Sequence, residues 1–345
     1  MNVVICHSQV PFVRGGAEEH VEGLRDALRQ AGHRADIVAL PFKWYPKPEI
    51  LKAALAWRLL DLTEANGLPI DRVICTKFPT WAVRHPRKVA WVIHQHRQAY
   101  DWYGTPLSDF TASPEDRLLR RRIAEVDRRG LGECERLYAN SANVARRLKE
   151  SVGLEATPLH VPIRLTGLRP ERYDPFILSV SRLDRAKRVD LLLHAVAEAP
   201  SRVRAEIVGD GPEATALRRL AERLGISERV RFRGRVTDAE LVSLYNTARA
   251  VYYGPIDEDF GLVTVEAFTA AKPVVTVADA GGVLELVEDG RTGLVVPRPE
   301  PSAVGAAIDR VLSDESLARR LGEAGRDRVA SIRWDRVVQE LLSDA

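Results

Sequence analysis

The chain has 345 residues, 45% of them apolar and 29% charged, with a formal net charge of only +3. That length predicts two domains rather than one core, and the near-balanced charge offers no bulk polycation for a nucleic acid. Three scattered cysteines, Cys6, Cys75 and Cys134, lack CxxC spacing; they argue against a disulfide frame or zinc site and fit a reducing cytosol.

No apolar run approaches ~20 residues, so no membrane span is predicted. The opening VVIC has neither the basic leader nor the small-residue cleavage site of a signal peptide. A cytoplasmic protein is expected. The chain starts as strand, glycine loop, helix, strand: NVVICHS, PFVRGGAEE, HVEGLRDALRQAGH, RADIVAL. Val21, Leu24 and Leu28 recur at helical spacing, and AGH suits a helix stop. DRVICT (71–76) and RKVAWVIH (87–94) are short apolar runs, as expected for strands covered on both faces. Residues 116–129, DRLLRRRIAEVDRR, set Leu119, Ile123 and Val126 on one helical face amid arginines. Two readings stay open there: a core-facing helix with a solvated basic side, and a patch that touches anionic lipid at the inner face of a membrane.

The second half restarts the same way. FILSVSRL (176–183) reads as a strand, DRAKR as a basic loop, VDLLLHAVAEA as a helix, and RAEIVGDG (204–211) as strand and turn. Alternating β and α segments predict two doubly wound parallel-sheet α/β domains. The Pro-rich stretch 160–175 is the linker candidate. We expect domains at 1–165 and 172–330, with a last helix over about 333–345 that packs back on the first.

The most informative segment is DEDFGLVTVEA, 257–267. VTV leans toward strand, but VEAFTAAK is helix-forming and Pro273 ends it. A helix opening near Gly261 would present the N–H groups of Gly261 and Leu262 as an anion site. Glu266, four residues after Leu262, would lie on the same face one turn deeper. Glu258 would reach the other end of the same ligand. Two carboxylates bracketing an anion pocket suit a sugar, a diphosphate and a ribose. Helix-dipole preference accounts for Asp257 to Asp259, but not for Glu266 within an apolar run.

Glu258 and Glu266, with seven residues between them, together with FGLVTVEA (260–267), resemble the E-x7-E signature of retaining glycosyltransferases of family 4. GGAEE (15–19), ANSANVARRL (139–148), SRLDRAKR (181–188), VGDGP (208–212) and GGVLELVEDGRTGLVV (281–296) extend the resemblance over nearly the whole chain. It implies the GT-B fold: two facing Rossmann-like domains with a cleft between them. It implies a nucleoside-diphosphate sugar as donor and a hydroxyl acceptor, a glycan or lipid-linked saccharide, with no metal or other cofactor. Arg182 and Lys187 match the family's basic pair and would neutralise the β-phosphate, helped by N–H groups near Gly15, Gly16, Gly209 and Gly261. Glu266 would accept from the ribose and Glu258 from the transferred hexose, with front-face attack by the acceptor. His94 matches a family histidine near the anomeric centre, His96 being the lesser alternative. Arg97, Tyr100 and Trp102 follow in a loop that would line the acceptor side. VPIRL replaces the Asn-Gly common at the linker, and Gly254-Pro255 replaces a common Pro-Ser pair.

Rival readings have weaker support. GDGPEA (209–214) fits a dinucleotide fingerprint, but no acid follows the next strand, RVRFRG, to hold a ribose. Asp257-Glu258-Asp259 fits D-x-D, yet it precedes a helix late in the second domain. His94 and His96 share a strand face, but no further metal ligand has suitable spacing. A nucleotide-sugar epimerase of the same fold and a non-catalytic nucleotide-sugar sensor remain the alternatives.

Overall fold

The computed structural model describes residues 1–343. The chain divides into two compact units, Met1–Pro162 together with the C-terminal segment that starts at Ile332, and Ile163–Ser331. The division thus falls inside the 160–175 stretch that composition suggests as the linker, near its start. The reason is local: Asn246 Oδ1 accepts from the Arg169 N–H at 2.9 Å, its Nδ2 donates to the Gly167 carbonyl at 3.0 Å, and Leu168 and Tyr173 are buried. Most of that stretch is strapped onto the second unit.

The first unit runs β1 (Asn2–Gln9), α1 (Gly16–Gln30), β2 (Arg34–Pro41), α2 (Glu49–Leu59), β3 (Glu64–Ala65), β4 (Leu68–Pro69), β5 (Arg72–Cys75), β6 (Lys88–Val92), α3 (Pro114–Gly132), β7 (Arg136–Ala139), α4 (Ala142–Val152) and β8 (Thr157–Pro158). Strands β3 and β4 make a small antiparallel hairpin; the rest form a six-stranded parallel sheet of order β2-β1-β5-β6-β7-β8. The chain winds from β1 to one side through β2 and to the other through β5, which leaves a crevice at the carboxyl ends of β1 and β5. Strands β5 and β6 are buried throughout, as the apolar runs that follow Arg72 and Lys88 require. In α3, Ile123 is fully buried and Leu119 and Val126 pack against the core, so the face read over 116–129 is core-facing. Ser113 caps that helix by accepting the Asp116 N–H, with Pro114 in its first turn.

The second unit runs β9 (Asp174–Val180), α5 (Val189–Glu198), β10 (Ala205–Val208), α6 (Ala214–Arg223), β11 (Val230–Gly234), α7 (Asp238–Thr247), β12 (Ala248–Tyr252), α8 (Leu262–Thr269), β13 (Val274–Val277), β14 (Gly293–Val296), α9 (Pro301–Ser313) and α10 (Glu315–Val329). Its parallel sheet has the order β11-β10-β9-β12-β13-β14. Here the switch lies between β9 and β12. The β-branched VTV run sits inside α8, where Thr264, Val265, Ala267 and Phe268 are buried; packing overrides strand propensity.

Helix α11 (Trp334–Leu342) belongs to the first unit. It is tied there by Arg72, which donates to the Leu341 carbonyl at 2.9 Å, and by Trp334, whose ring lies 6.2 Å from that of Trp91. The last two residues of the helix expected over 333–345 lie outside the described residues. Among the described residues no helix is long and apolar enough to cross a membrane.

Candidate functional site

In the second unit the loops after β9, β10, β12 and β13 gather at the carboxyl edge of the sheet. The turn after β10 lies on the loop after β9, with the Leu183 N–H donating to the Asp210 carbonyl at 3.0 Å. Gly209, at φ +127°, makes that approach possible: a Cβ there would sit 1.8 Å from the Ser181 carbonyl oxygen. The loop after β12 is held on both sides. Ile256 N–H donates to Ala186 and Gly282 N–H to Glu258, both at 2.8 Å. Arg188 adds bonds to the carbonyls of Gly254 and Pro255 and a bidentate pair with Asp279.

This scaffold places the predicted residues as follows. Lys187 ends a short 3-10 turn, Arg185–Lys187. Its ammonium pairs with the Glu258 carboxylate and donates to the Tyr253 hydroxyl at 3.3 Å. Burial works against the charge, but Glu258 and Tyr253 outweigh it, so the Lys187 pKa is raised and the ammonium stays protonated. Arg182 is half exposed on the same loop, 4.0 Å from Asp184. Burial raises the Asp184 pKa, and its Oδ1 is buried without a hydrogen-bond partner. Gly261 caps α8 at φ +87°, a left-handed conformation suited to glycine. Among the described residues the N–H groups of Gly261 and Leu262 make no hydrogen bond. Glu266, one turn into α8, accepts from the hydroxyl of the buried Tyr245 at 2.6 Å. One loop edge therefore holds two cations, two open N–H donors and two carboxylates, a set that can grip a diphosphate and hydroxyl-bearing rings.

The first unit carries the other predicted residues. At the crevice between β1 and β5, Glu18 turns back to accept the Gly15 N–H at 2.7 Å and receives the His7 Nε2 at 3.3 Å, with the Lys77 ammonium 3.7 Å away. Burial pushes the Glu18 carboxyl up, but the His7 bond and the Lys77 charge win and hold it at about 2. Gly15 thus spends its own N–H inside the protein, while the Gly16 N–H makes no hydrogen bond among the described residues. His94 follows β6, and its Nδ1 lies 2.7 Å from the Gln95 carbonyl. A carbonyl can only accept, so the hydrogen is on Nδ1. His96 is instead a core residue, 5.8–5.9 Å from the rings of Phe42, Phe78 and Phe110, and burial lowers its pKa to about 4. Arg97 pairs with Asp101 at 2.6 Å and stacks on Trp102 at 4.3 Å. Tyr100 anchors the loop by donating to the buried Asp127 at 2.6 Å.

The sequence reading missed Tyr245, Tyr253, Arg188, Glu18 and Lys77. Tyr253 and Lys77 each follow a strand that borders a switch point, the one signal that could have singled them out.

The sequence of residues 168–328 matches the family described as "Glycosyl transferases group 1". That match spans nearly all of the second unit. A D-inositol 3-phosphate glycosyltransferase of Nocardia farcinica is 32% identical over 61% of the chain and 52% of its own length. The chain therefore spans about half the length of that curated relative. An uncharacterized glycosyltransferase of Methanocaldococcus jannaschii is 24% identical over 96% of the chain and 94% of its own length. Among solved structures, Anabaena HepE in complex with UDP and glucose superimposes with a TM-score of 0.71 at 19% identity, covering 98% of both chains. Sucrose-phosphate synthase from Thermosynechococcus elongatus gives 0.76 at 21% identity, over 98% of this chain and 97% of that one. These likenesses show the GT-B fold over both units.

Proposed function

We propose that the chain is a retaining glycosyltransferase. It moves a sugar from a nucleoside diphosphate to a hydroxyl of a glycan or lipid-linked acceptor, by front-face displacement and without a metal. The observation that carries the reading is the constellation at the β9–β12 switch point: Lys187 and Arg182, the open N–H groups that start α8, and the carboxylates of Glu258 and Glu266.

In the reaction the bond from the anomeric carbon to the β-phosphate oxygen breaks. The acceptor oxygen bonds to the same face of that carbon, and its proton passes to the departing phosphate. Negative charge grows on the leaving diphosphate. Lys187, Arg182 and the Gly261 and Leu262 N–H groups meet that charge; charged hydrogen bonds contribute roughly 1.5–3 kcal/mol each. Those that strengthen as charge develops raise the rate rather than affinity alone. Glu266, fixed by Tyr245, takes the ribose hydroxyls, and Glu258 the hexose. The resemblance assigns His94 to the transferred sugar. HepE binds UDP and glucose, which makes UDP-glucose the first donor to try.

The test is release of nucleoside diphosphate from UDP- and GDP-sugars with a hydroxyl acceptor present, in chelator. Turnover in EDTA with a product of unchanged anomeric configuration is expected. Abolition by EDTA would contradict the metal-free reading. Conversion of donor into an epimer with no acceptor would favour the epimerase.

A further inference from the structure

We propose that a second site, in the first unit, binds a phosphate group carried by the acceptor. A cavity of about 750 Å³ opens between the 95–101 loop, α3 and α4, and Arg117, Arg120, Arg121 and Arg147 line it. That volume is in the range that holds a small organic molecule and far exceeds a bare anion.

The charges around this cavity do not cancel. Its two acids are already engaged: Asp101 lies 2.6 Å from Arg97 and 3.7 Å from Arg147, and Glu150 is 2.6 Å from Arg146. Arg117, Arg120 and Arg121 make no ion pair among the described residues. Arg117 donates to the Ala112 carbonyl at 2.5 Å. Arg120 donates to the Ala99 carbonyl at 2.8 Å and lies 3.4 Å from the centre of the Tyr103 ring, so its guanidinium is held in place before any ligand arrives. Arg121 has no hydrogen-bond partner among the described residues.

Uncompensated arginines in a concave site favour a ligand of high charge density, and the guanidinium fork matches two oxygens of a phosphate. The remaining wall suits a ring bearing hydroxyls, since Gln95 and Ser151 also line the cavity and bond to each other at 3.0 Å. Gln95 directly follows His94, so the cavity adjoins the loop expected on the acceptor side. Assigning the cavity to the acceptor rests on the transferase reading; its binding of phosphate does not. A soluble sugar or polyol phosphate and a lipid phosphate share this chemistry.

Binding is measured with UDP and GDP both in excess, so that the site in the second unit is filled. One arm titrates inorganic phosphate and glucose 6-phosphate. The other sediments the protein with phosphatidylcholine vesicles, with and without phosphatidic acid. Arg121→Glu and the double variant R117Q/R121E alter exposed side chains and leave the core alone. Wild-type protein is expected to bind one class of probe, the variants to bind it about tenfold or more weakly, and nucleotide binding to stay unchanged. Glucose 6-phosphate binding identifies a soluble source, and vesicle binding that requires phosphatidic acid a lipid one. Failure of the wild type to bind either class, or equal binding by the variants, overturns the site. Phosphate binding without nucleotide binding keeps the site and removes the transferase reading.

Discussion

Tyr245 donates its hydroxyl hydrogen to Glu266 Oε2 at 2.6 Å, from a position wholly within the core of the second unit. The bond fixes the carboxylate that the sequence marks as an acid in an apolar run and as the second glutamate of E-x7-E. Tyr245→Phe removes it without changing the volume of the ring. Because hydrogen bonds to charged groups contribute about 1.5–3 kcal/mol, donor affinity should fall about tenfold while kcat changes little. Donor KM and nucleotide binding by calorimetry check this, and unchanged values would mean that Glu266 does not hold the donor.

Lys187→Ala should lower kcat more than it raises donor KM, by about 10²–10³, as loss of a donor to developing charge does. Lys187→Arg should recover little, because one nitrogen serves both Glu258 and Tyr253 and a planar fork does not fit that arrangement. A rise in KM with kcat intact would contradict a transition-state role.

Gly209→Ala should unseat the loop that carries Arg182 and Lys187. The new Cβ would meet the Ser181 carbonyl at 1.8 Å, and the φ of +127° is strained for any side chain, costing about 1–3 kcal/mol from the backbone alone. A lower melting midpoint together with lost nucleotide binding is expected. Wild-type behaviour in both would show that the turn is not the support described.

Glu18 links stability to pH. Its folded pKa of about 2 lies below the ordinary 4.5, so the unfolded chain binds the proton more readily. Its contribution is full above pH 4.5 and fades as pH falls toward 2. Glu18→Gln should therefore destabilise at pH 7, with the gap from wild type narrowing below about pH 4.5. All six tryptophans lie in the first unit, so fluorescence-monitored urea unfolding reads this directly. A gap that widens in acid would reverse the sign and refute the account.

The alternation of β and α segments made both sheets legible, and the E-x7-E spacing with the basic pair pointed to residues that the fold gathers at the carboxyl edge of the second sheet. What stayed hidden depends on long-range contact. Tyr245 and Tyr253 reach their partners across elements far apart in sequence. The stretch 160–175 looks like a linker because prolines mask Leu168 and Tyr173, whose burial depends on Asn246 and the sheet beneath. His94 and His96 differ by two positions and share a strand face in the sequence, yet three phenylalanine rings from separate segments make His96 a core residue. The arginines of α3 were legible as a basic face, but that Arg117, Arg120 and Arg121 lack carboxylate partners among the described residues follows only from where the acids of α4 and the 95–101 loop point.

A crystal structure of the chain with UDP or GDP bound tests the central claim most directly. The diphosphate should lie within hydrogen-bond reach of Lys187 Nζ and the Leu262 N–H, with the ribose hydroxyls on Glu266. A nucleotide seated away from the carboxyl edge of β9 and β12, or carboxylates at 258 and 266 turned from it, would contradict the account.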